Sequence, residues 1–195
     1  RRLAQAEVQI GAILIALARA ALHVAGELLL AGEDMHGRAD GVEVGLGDAV
    51  IHVSSESLKK VVKFLKEDPD LVFDYLCDIR GVDYLDRDPR FEAVYEFHSI
   101  EKNHSIRVRV GLPEENPTLP TIADLWKSAV YPERELYDMF GFNITGLTNR
   151  KRLIMPEGWE GHPLRKDYPL TTEAVVFSHN RDYKRELVKP KPATR

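Results

Sequence analysis

From residue 41 onward the apolar positions follow two alternating rhythms. Val42, Val44 and Leu46 alternate with Glu43 and Gly45, and Ala49, Ile51 and Val53 alternate with Val50 and His52 beyond a turn carrying Gly45, Gly47 and Asp48. Period-two alternation around such a turn predicts a hairpin. The rhythm then changes to Leu58, Val61, Val62 and Leu65 at i, i+3, i+4 and i+7, a helix with Lys59, Lys60, Lys63 and Lys66 on its wet side. Ser54 or Ser55 is placed to cap it and Pro69 to stop it. Leu71, Phe73, Tyr75, Cys77 and Ile79 predict a third strand, and Phe91, Ala93, Tyr95 and Phe97 a fourth. Ile106, Val108 and Val110 alternate with Arg107 and Arg109 in a fifth. With a further helix near the start, the order αββαβββ implies an α+β two-layer sandwich, its helices on one face of a mainly antiparallel sheet.

After Pro113 the pattern breaks up. Thr121 with Asp124 three residues on resembles a capping box, and the helix it opens must end by Tyr131 because Pro132 follows. Pro132 suits the first position of a second short helix, and Gly141 suits its C-terminal cap. From Phe142 the chain reads as loop, with a short strand at 152–155, so the two short helices lead into an extended C-terminal tail. Nine of the 11 prolines lie from Pro113 onward, so packing in that half depends on something outside it. Three regions follow: an alanine-rich helical extension at 1–40, a sandwich core at 41–112, and a partner-binding tail at 113–195.

Composition narrows the function classes. The first 50 of the 195 residues hold 11 of the 16 alanines and none of the 11 lysines. Within them, residues 10–30 carry Arg19, His23 and Glu27 on one helical stripe, which argues for an amphipathic helix rather than a bilayer span. Taking 31 acids from 27 bases leaves a net charge of −4, without the basic excess that nucleic-acid binding uses. The single cysteine, Cys77, excludes an intramolecular disulfide and a cluster held by this chain's thiolates alone; a reducing compartment fits. Its place on the apolar phase of the third strand predicts a buried, inert thiol.

Catalytic motifs are missing. Gly45-Leu46-Gly47-Asp48 starts like a dinucleotide fingerprint, but the third glycine is absent and a strand follows where a helix is needed. No Walker A loop, Gly-x-Ser-x-Gly elbow or His-Glu-x-x-His run occurs. Of seven histidines only His98 and His104 fall close together, too few ligands for zinc. Asp83 and Asp86 sit in a loop where turn chemistry accounts for them.

Two segments are richer than a solvated face requires. In Glu133-Arg134-Glu135-Leu136-Tyr137-Asp138-Met139-Phe140-Gly141 charges and aromatics interleave, with Arg134 and Asp138 one turn apart. In Gly158-Trp159-Glu160-Gly161-His162-Pro163-Leu164-Arg165-Lys166-Asp167-Tyr168-Pro169, arginine and aromatics have the composition of an interface anchor. Together they resemble the 30 kDa subunit family of respiratory complex I, the C subunits of the proton-pumping NADH-quinone oxidoreductases, including their cyanobacterial and plastid J-subunit branch. Residues 78–85 and 120–126 also look like family text, so the resemblance spans about 42–170. It departs after Gly146, where Leu147, Thr148 and Asn149 stand in place of a common Gly-His-Pro run.

The resemblance implies a component of an enzyme, the NADH-quinone oxidoreductase translocase, without catalytic, cofactor-binding or metal-binding residues of its own. Iron-sulfur clusters and quinone are then held by partner subunits. It implies packing on the quinone-site D subunit near the cluster-bearing B and I subunits, at the cytoplasmic face of the membrane, or on the stromal or matrix side in an organelle. Membrane contact comes only through the complex. Glu133, Arg134, Glu135 and Asp138 are expected to fix the short helix through ion pairs, with Tyr137 beside them. Trp159, His162, Pro163, Arg165, Lys166, Asp167 and Tyr168 are expected to clamp the tail on the partner. The equivalent subunit of a membrane-bound nickel-iron hydrogenase or an F420H2 dehydrogenase is the nearest competing expectation. A stand-alone enzyme using His162, Arg165 and Asp167 on a small anionic substrate is a remote one.

Overall fold

The computed structural model describes residues 41–45 and 48–169, with side chains from residue 49 onward. The helix expected at 10–30, the turn at 46–47 and the tail beyond 169 lie outside these residues. Strands β1 (Gly41–Gly45) and β2 (Asp48–His52) form the expected antiparallel hairpin. Helix α1 (Leu58–Glu67) follows, then β3 (Tyr75–Asp83), β4 (Phe91–Ser99) and β5 (His104–Leu112). The sheet runs β1-β2-β5-β4-β3, antiparallel except where β2 lies parallel to β5. Asp68 turns extended ahead of Pro69, which ends α1 as a residue before proline should.

One face of the sheet carries the core. Ala49 and Ile51 of β2, Phe91, Ala93, Tyr95 and Phe97 of β4 and Ile106, Val108 and Val110 of β5 are buried in one cluster with Leu58, Val61, Val62 and Leu65 of α1. Burying a side chain of this size stabilises by roughly 1.5–3 kcal/mol, so alternation this regular sets the register. On the opposite face cross-strand charges pair instead: Arg107 with Glu96 at 3.1 Å, Arg80 with Glu96 at 3.6 Å and Arg109 with Glu92 at 3.5 Å.

Strand β3 departs from the expected phase. Leu71 and Phe73 are buried, but in the connection before the strand, and the register shifts between Leu76 and Asp78. The extra residue is Cys77. A bulge places two residues opposite one and breaks period-two counting, so Leu76 and Ile79 point inward while Tyr75 and Cys77 are exposed. The buried thiol expected at Cys77 is thus overturned.

The second half is also rearranged. Thr121 does not open a helix: residues 123–125 form a turn, a 3₁₀ turn spans Lys127–Ala129, and α2 (Val130–Phe140) follows directly. Tyr131 and Pro132 therefore lie inside one helix. Pro132 falls in its first turn, where a missing N–H breaks no intrahelical bond. Short strands β6 (Thr118–Pro120) and β7 (Asn143–Thr145) pair in parallel on either side of it. Lysines expected to be solvated tie the 121–126 turn to α1: Lys59 meets Asp124 at 2.8 Å, while Lys66 donates to the Leu125 carbonyl and lies over the Trp126 ring. Helix α2 presses onto β3 at Gly81, where a Cβ would stand 2.7 Å from the Phe140 ring. Only glycine allows that approach. Among the described residues no helix is long and apolar enough to cross a membrane.

Candidate functional site

A helix end leaves its last carbonyls without intrahelical donors. At the C-terminus of α2 each receives one from elsewhere. Gly141, at φ 76° in the left-handed region, donates its N–H to the Tyr137 carbonyl at 3.0 Å. His162 Nδ1 lies 2.9 Å from the Asp138 carbonyl, the Leu164 N–H donates to Met139 at 3.1 Å, and Arg165 Nε donates to Phe140 at 2.6 Å. Residues 150–169 form a strap laid against the helix end. Arg152 and Arg165 also bring cations to the negative end of the helix dipole. Glycine at 141 matters twice, because a Cβ there would stand 2.5 Å from His162 Nε2.

Asp138 holds the start of the strap. Its side chain is fully buried, and Oδ2 accepts the backbone N–H groups of Leu153, Ile154 and Met155 at 2.9, 2.7 and 2.9 Å. Oδ1 accepts Arg152 Nη1 at 2.8 Å. Burial alone would raise the carboxyl, but these four donors outweigh it and hold its pKa below the ordinary aspartate range. The expected strand at 152–155 is therefore a bend wrapped around one carboxylate. It forms no ladder because its N–H groups already have an acceptor.

The ion pairs expected within α2 are not made. Arg134 reaches the carbonyls of Lys151 and Arg152 at 3.1 and 3.2 Å rather than Asp138. Glu133 is fully buried and accepts the Thr121 hydroxyl at 2.6 Å and the Ile122 N–H at 2.7 Å, so it caps the preceding turn. Burial pushes its carboxyl above the usual value against both bonds. Glu135 is exposed, while Tyr137, Trp159, Pro163 and Tyr168 are half-buried.

The far end of the strap closes on a cluster that sequence reasoning missed. Arg90 is 4% exposed and forks onto Asp83, with Nε to Oδ1 and Nη2 to Oδ2 both 2.9 Å. Glu114 and Asp167 complete its shell, Asp167 at 3.1 Å. Asp83 also accepts the N–H groups of Leu85 and Lys166 at 3.0 and 2.8 Å. The Arg90 bonds come first among the effects that hold Asp83 down to about 2, against the opposing effect of burial. Turn chemistry alone does not account for this aspartate. The usable signal was an acid and an arginine flanking one hairpin loop, with the loop ends joined by Tyr84 N–H to the Arg90 carbonyl at 2.9 Å. Arg165 lies over the Phe91 ring, 5.0 Å from its centroid, and makes no carboxylate pair among the described residues.

The structure thus gathers Asp138, His162, Arg165, Lys166 and Asp167 along one intramolecular seam. Outward from it stand Leu153, Ile154 and Leu164, which are 36%, 57% and 48% exposed. Among the described residues no group of three or more metal-ligating side chains converges. His98 is bound to Ser105 and His104 to the Leu71 carbonyl.

Comparison with known proteins gives one consistent result. The family model described as the 30 kDa subunit of the respiratory-chain NADH dehydrogenase matches residues 51–174. The C subunit of NADH-quinone oxidoreductase from Roseiflexus castenholzii is 48% identical over 136 residues, 70% of this chain and 78% of that protein. The protein of the same name from Jannaschia sp. is 41% identical over 145 residues, 74% of this chain and 69% of its own. The solved trypsin-resistant fragment (1–134) of Nqo5 is similar at 38% identity and TM-score 0.52, covering 56% of this chain and 88% of the fragment. A chain of the archaeal membrane-bound sulfane sulfur reductase shares the fold at 18% identity and TM-score 0.56, over 83% of this chain and 97% of its own.

Proposed function

Because the chain belongs to the 30 kDa subunit family of the respiratory-chain NADH dehydrogenase, we propose that it is a docking component of the peripheral arm of an NADH-quinone oxidoreductase. It carries no redox centre, seats on the quinone-site D subunit beside the cluster-bearing B and I subunits, and supports electron transfer to quinone by holding them together. The catalytic activity belongs to the assembled complex.

One observation supports this reading most. Leu153, Ile154 and Leu164 expose apolar side chains while the backbone N–H of each is bonded to α2, the first two to Asp138 and the third to the Met139 carbonyl. Apolar groups held outward on a pinned backbone are pre-organised, so association loses little conformational entropy. Tyr131, 64% exposed beneath the Arg134 guanidinium, extends the surface with the arginine and aromatic pairing common at interface centres. The charged strap residues act on the partner indirectly, His162 and Arg165 by shaping the face and Asp167 by anchoring its end.

The test is affinity purification of the complex from membranes through a tag on this chain, with Ile154→Asp and Leu164→Asp together. The double variant should fold, with an unchanged circular dichroism spectrum, yet lose the quinone-site partner and most quinone reductase activity from the eluate. An intact, fully active complex carrying both aspartates would refute the docking face.

A further inference from the structure

At the start of the strap, an open groove of about 590 Å³ is lined by Tyr137, Thr148, Asn149, Arg150, Lys151, Arg152 and Glu157. The cations here are not equivalent. Arg152 is committed inside the chain, to Asp138 Oδ1 and to the carbonyls of Asp138 and Gly161. Arg150 donates one N–H to the Ile144 carbonyl at 3.3 Å, which leaves most of its five-donor fork without an acceptor among the described residues. Lys151 is pinned by its backbone: its N–H donates to Asn149 Oδ1 at 3.0 Å and its carbonyl accepts from Arg134 at 3.1 Å. Its ammonium has no acceptor among the described residues. Asn149, having given its oxygen to Lys151, retains two amide N–H donors. Tyr137 and Thr148 add hydroxyls without partners among the described residues.

Among the described residues a free ammonium, a guanidinium with one carbonyl bond and three neutral donor groups thus stand against a single carboxylate, Glu157. Such a wall calls for a ligand with several acceptor oxygens. A compact phosphate site is normally lined by backbone N–H groups, and here the Lys151 N–H is already taken. The donors are instead spread over the ends of exposed side chains along an open groove, which fits acceptors spaced along a polypeptide. We propose that this groove receives an acidic segment of a neighbouring subunit, one presenting two or more aspartates or glutamates. One carboxylate pairs with Lys151 and Arg150, and another lies against Tyr137 and Thr148. Glu157 repels the segment from one side and so sets its register. Charge complementarity of this kind governs association rate and partner choice. The inference rests on the subunit reading above and adds the chemistry of the partner.

Carbodiimide cross-linking of the purified intact complex, followed by mass spectrometry, tests it. Lys151 should form an amide with an aspartate or glutamate of another subunit. Lys151→Arg should abolish that link while the complex stays assembled, and Arg150→Glu with Lys151→Glu should make the linked neighbour dissociate at lower salt. The proposal is overturned if Lys151 in the assembled complex is linked only to this chain's own Glu157. It is equally overturned if Lys151 stays unlinked and is freely acetylated by an N-hydroxysuccinimide ester, or is shielded only when anionic phospholipid vesicles are added. These outcomes leave the subunit reading standing; failure of the chain to co-purify with any complex would remove both.

Discussion

Asp138 is a single carboxylate whose loss should detach a segment. In Asp138→Ala, three backbone N–H groups and the Arg152 guanidinium lose their acceptor together. A hydrogen bond to a charged group contributes about 1.5–3 kcal/mol, and breaking a buried ion pair at one partner costs about 3–5 kcal/mol. The four bonds are not additive, because the freed strap can rotate its N–H groups toward water. The net effect on strap closure is therefore about 3–5 kcal/mol, or roughly 10²- to 10⁴-fold in its opening equilibrium. The cost should be local. The bonds of the Asp138 side chain run to residues 152–155, so amide exchange at Leu153, Ile154 and Met155 should accelerate by about that factor while Val108 and Val110 change little. Asp138→Asn should resemble the alanine variant, since its amide must turn an NH₂ toward Arg152 if its oxygen keeps the three N–H bonds. Hydrogen exchange read by mass spectrometry measures this. Unchanged exchange at 153–155 in Asp138→Ala would refute the account of the strap.

Three further outcomes follow from the same geometry. Asp83 has a folded pKa of about 2, below its ordinary 3.8. Its contribution, about 2 kcal/mol, is thus present above pH 4 and lost as the pH falls toward 2. Urea titrations across that range should show this acid limb, and Asp83→Asn should be less stable at pH 7 with a flatter limb. Glu133 has the opposite sign: its carboxyl is raised, so it opposes folding increasingly as the pH climbs above 4.5 through the folded value. Glu133→Gln, which can still bond Ile122 and Thr121, should be near neutral at pH 7 by thermal melting, whereas Glu133→Ala should lose about 1–3 kcal/mol. Cys77 should react with an aromatic disulfide reagent in the native chain without denaturant. Partial burial, then Glu96 and Asp78, raise its pKa above 9.0, so labelling should quicken well into the alkaline range. A thiol titrating only after unfolding would contradict its exposure.

Local rules served where one face of an element meets one core. Leu58, Val61, Val62 and Leu65 are buried as their spacing requires, and β4 and β5 keep their alternation because each is paired on both sides. The same rules failed at β3, an edge strand that pairs with β4 alone among the described residues, where one inserted residue turned Cys77 outward. They also failed for charges. Arg134 and Asp138 stand one turn apart, yet each found partners in the strap, because strap carbonyls and N–H groups offered several bonds where the helical pair offered one.

The order of residues by itself determined the two-layer architecture, the absence of recognisable catalytic motifs and the family, since these depend on periodicity and on contiguous text. Tertiary structure alone decided what Glu133, Asp138, Arg90 and Asp83 do. Each is a buried charge, and a buried charge is stable only where desolvation is offset by donors or acceptors that arrive from distant segments. Asp83 and Lys166 are 83 positions apart and bonded at 2.8 Å, a distance no local pattern encodes.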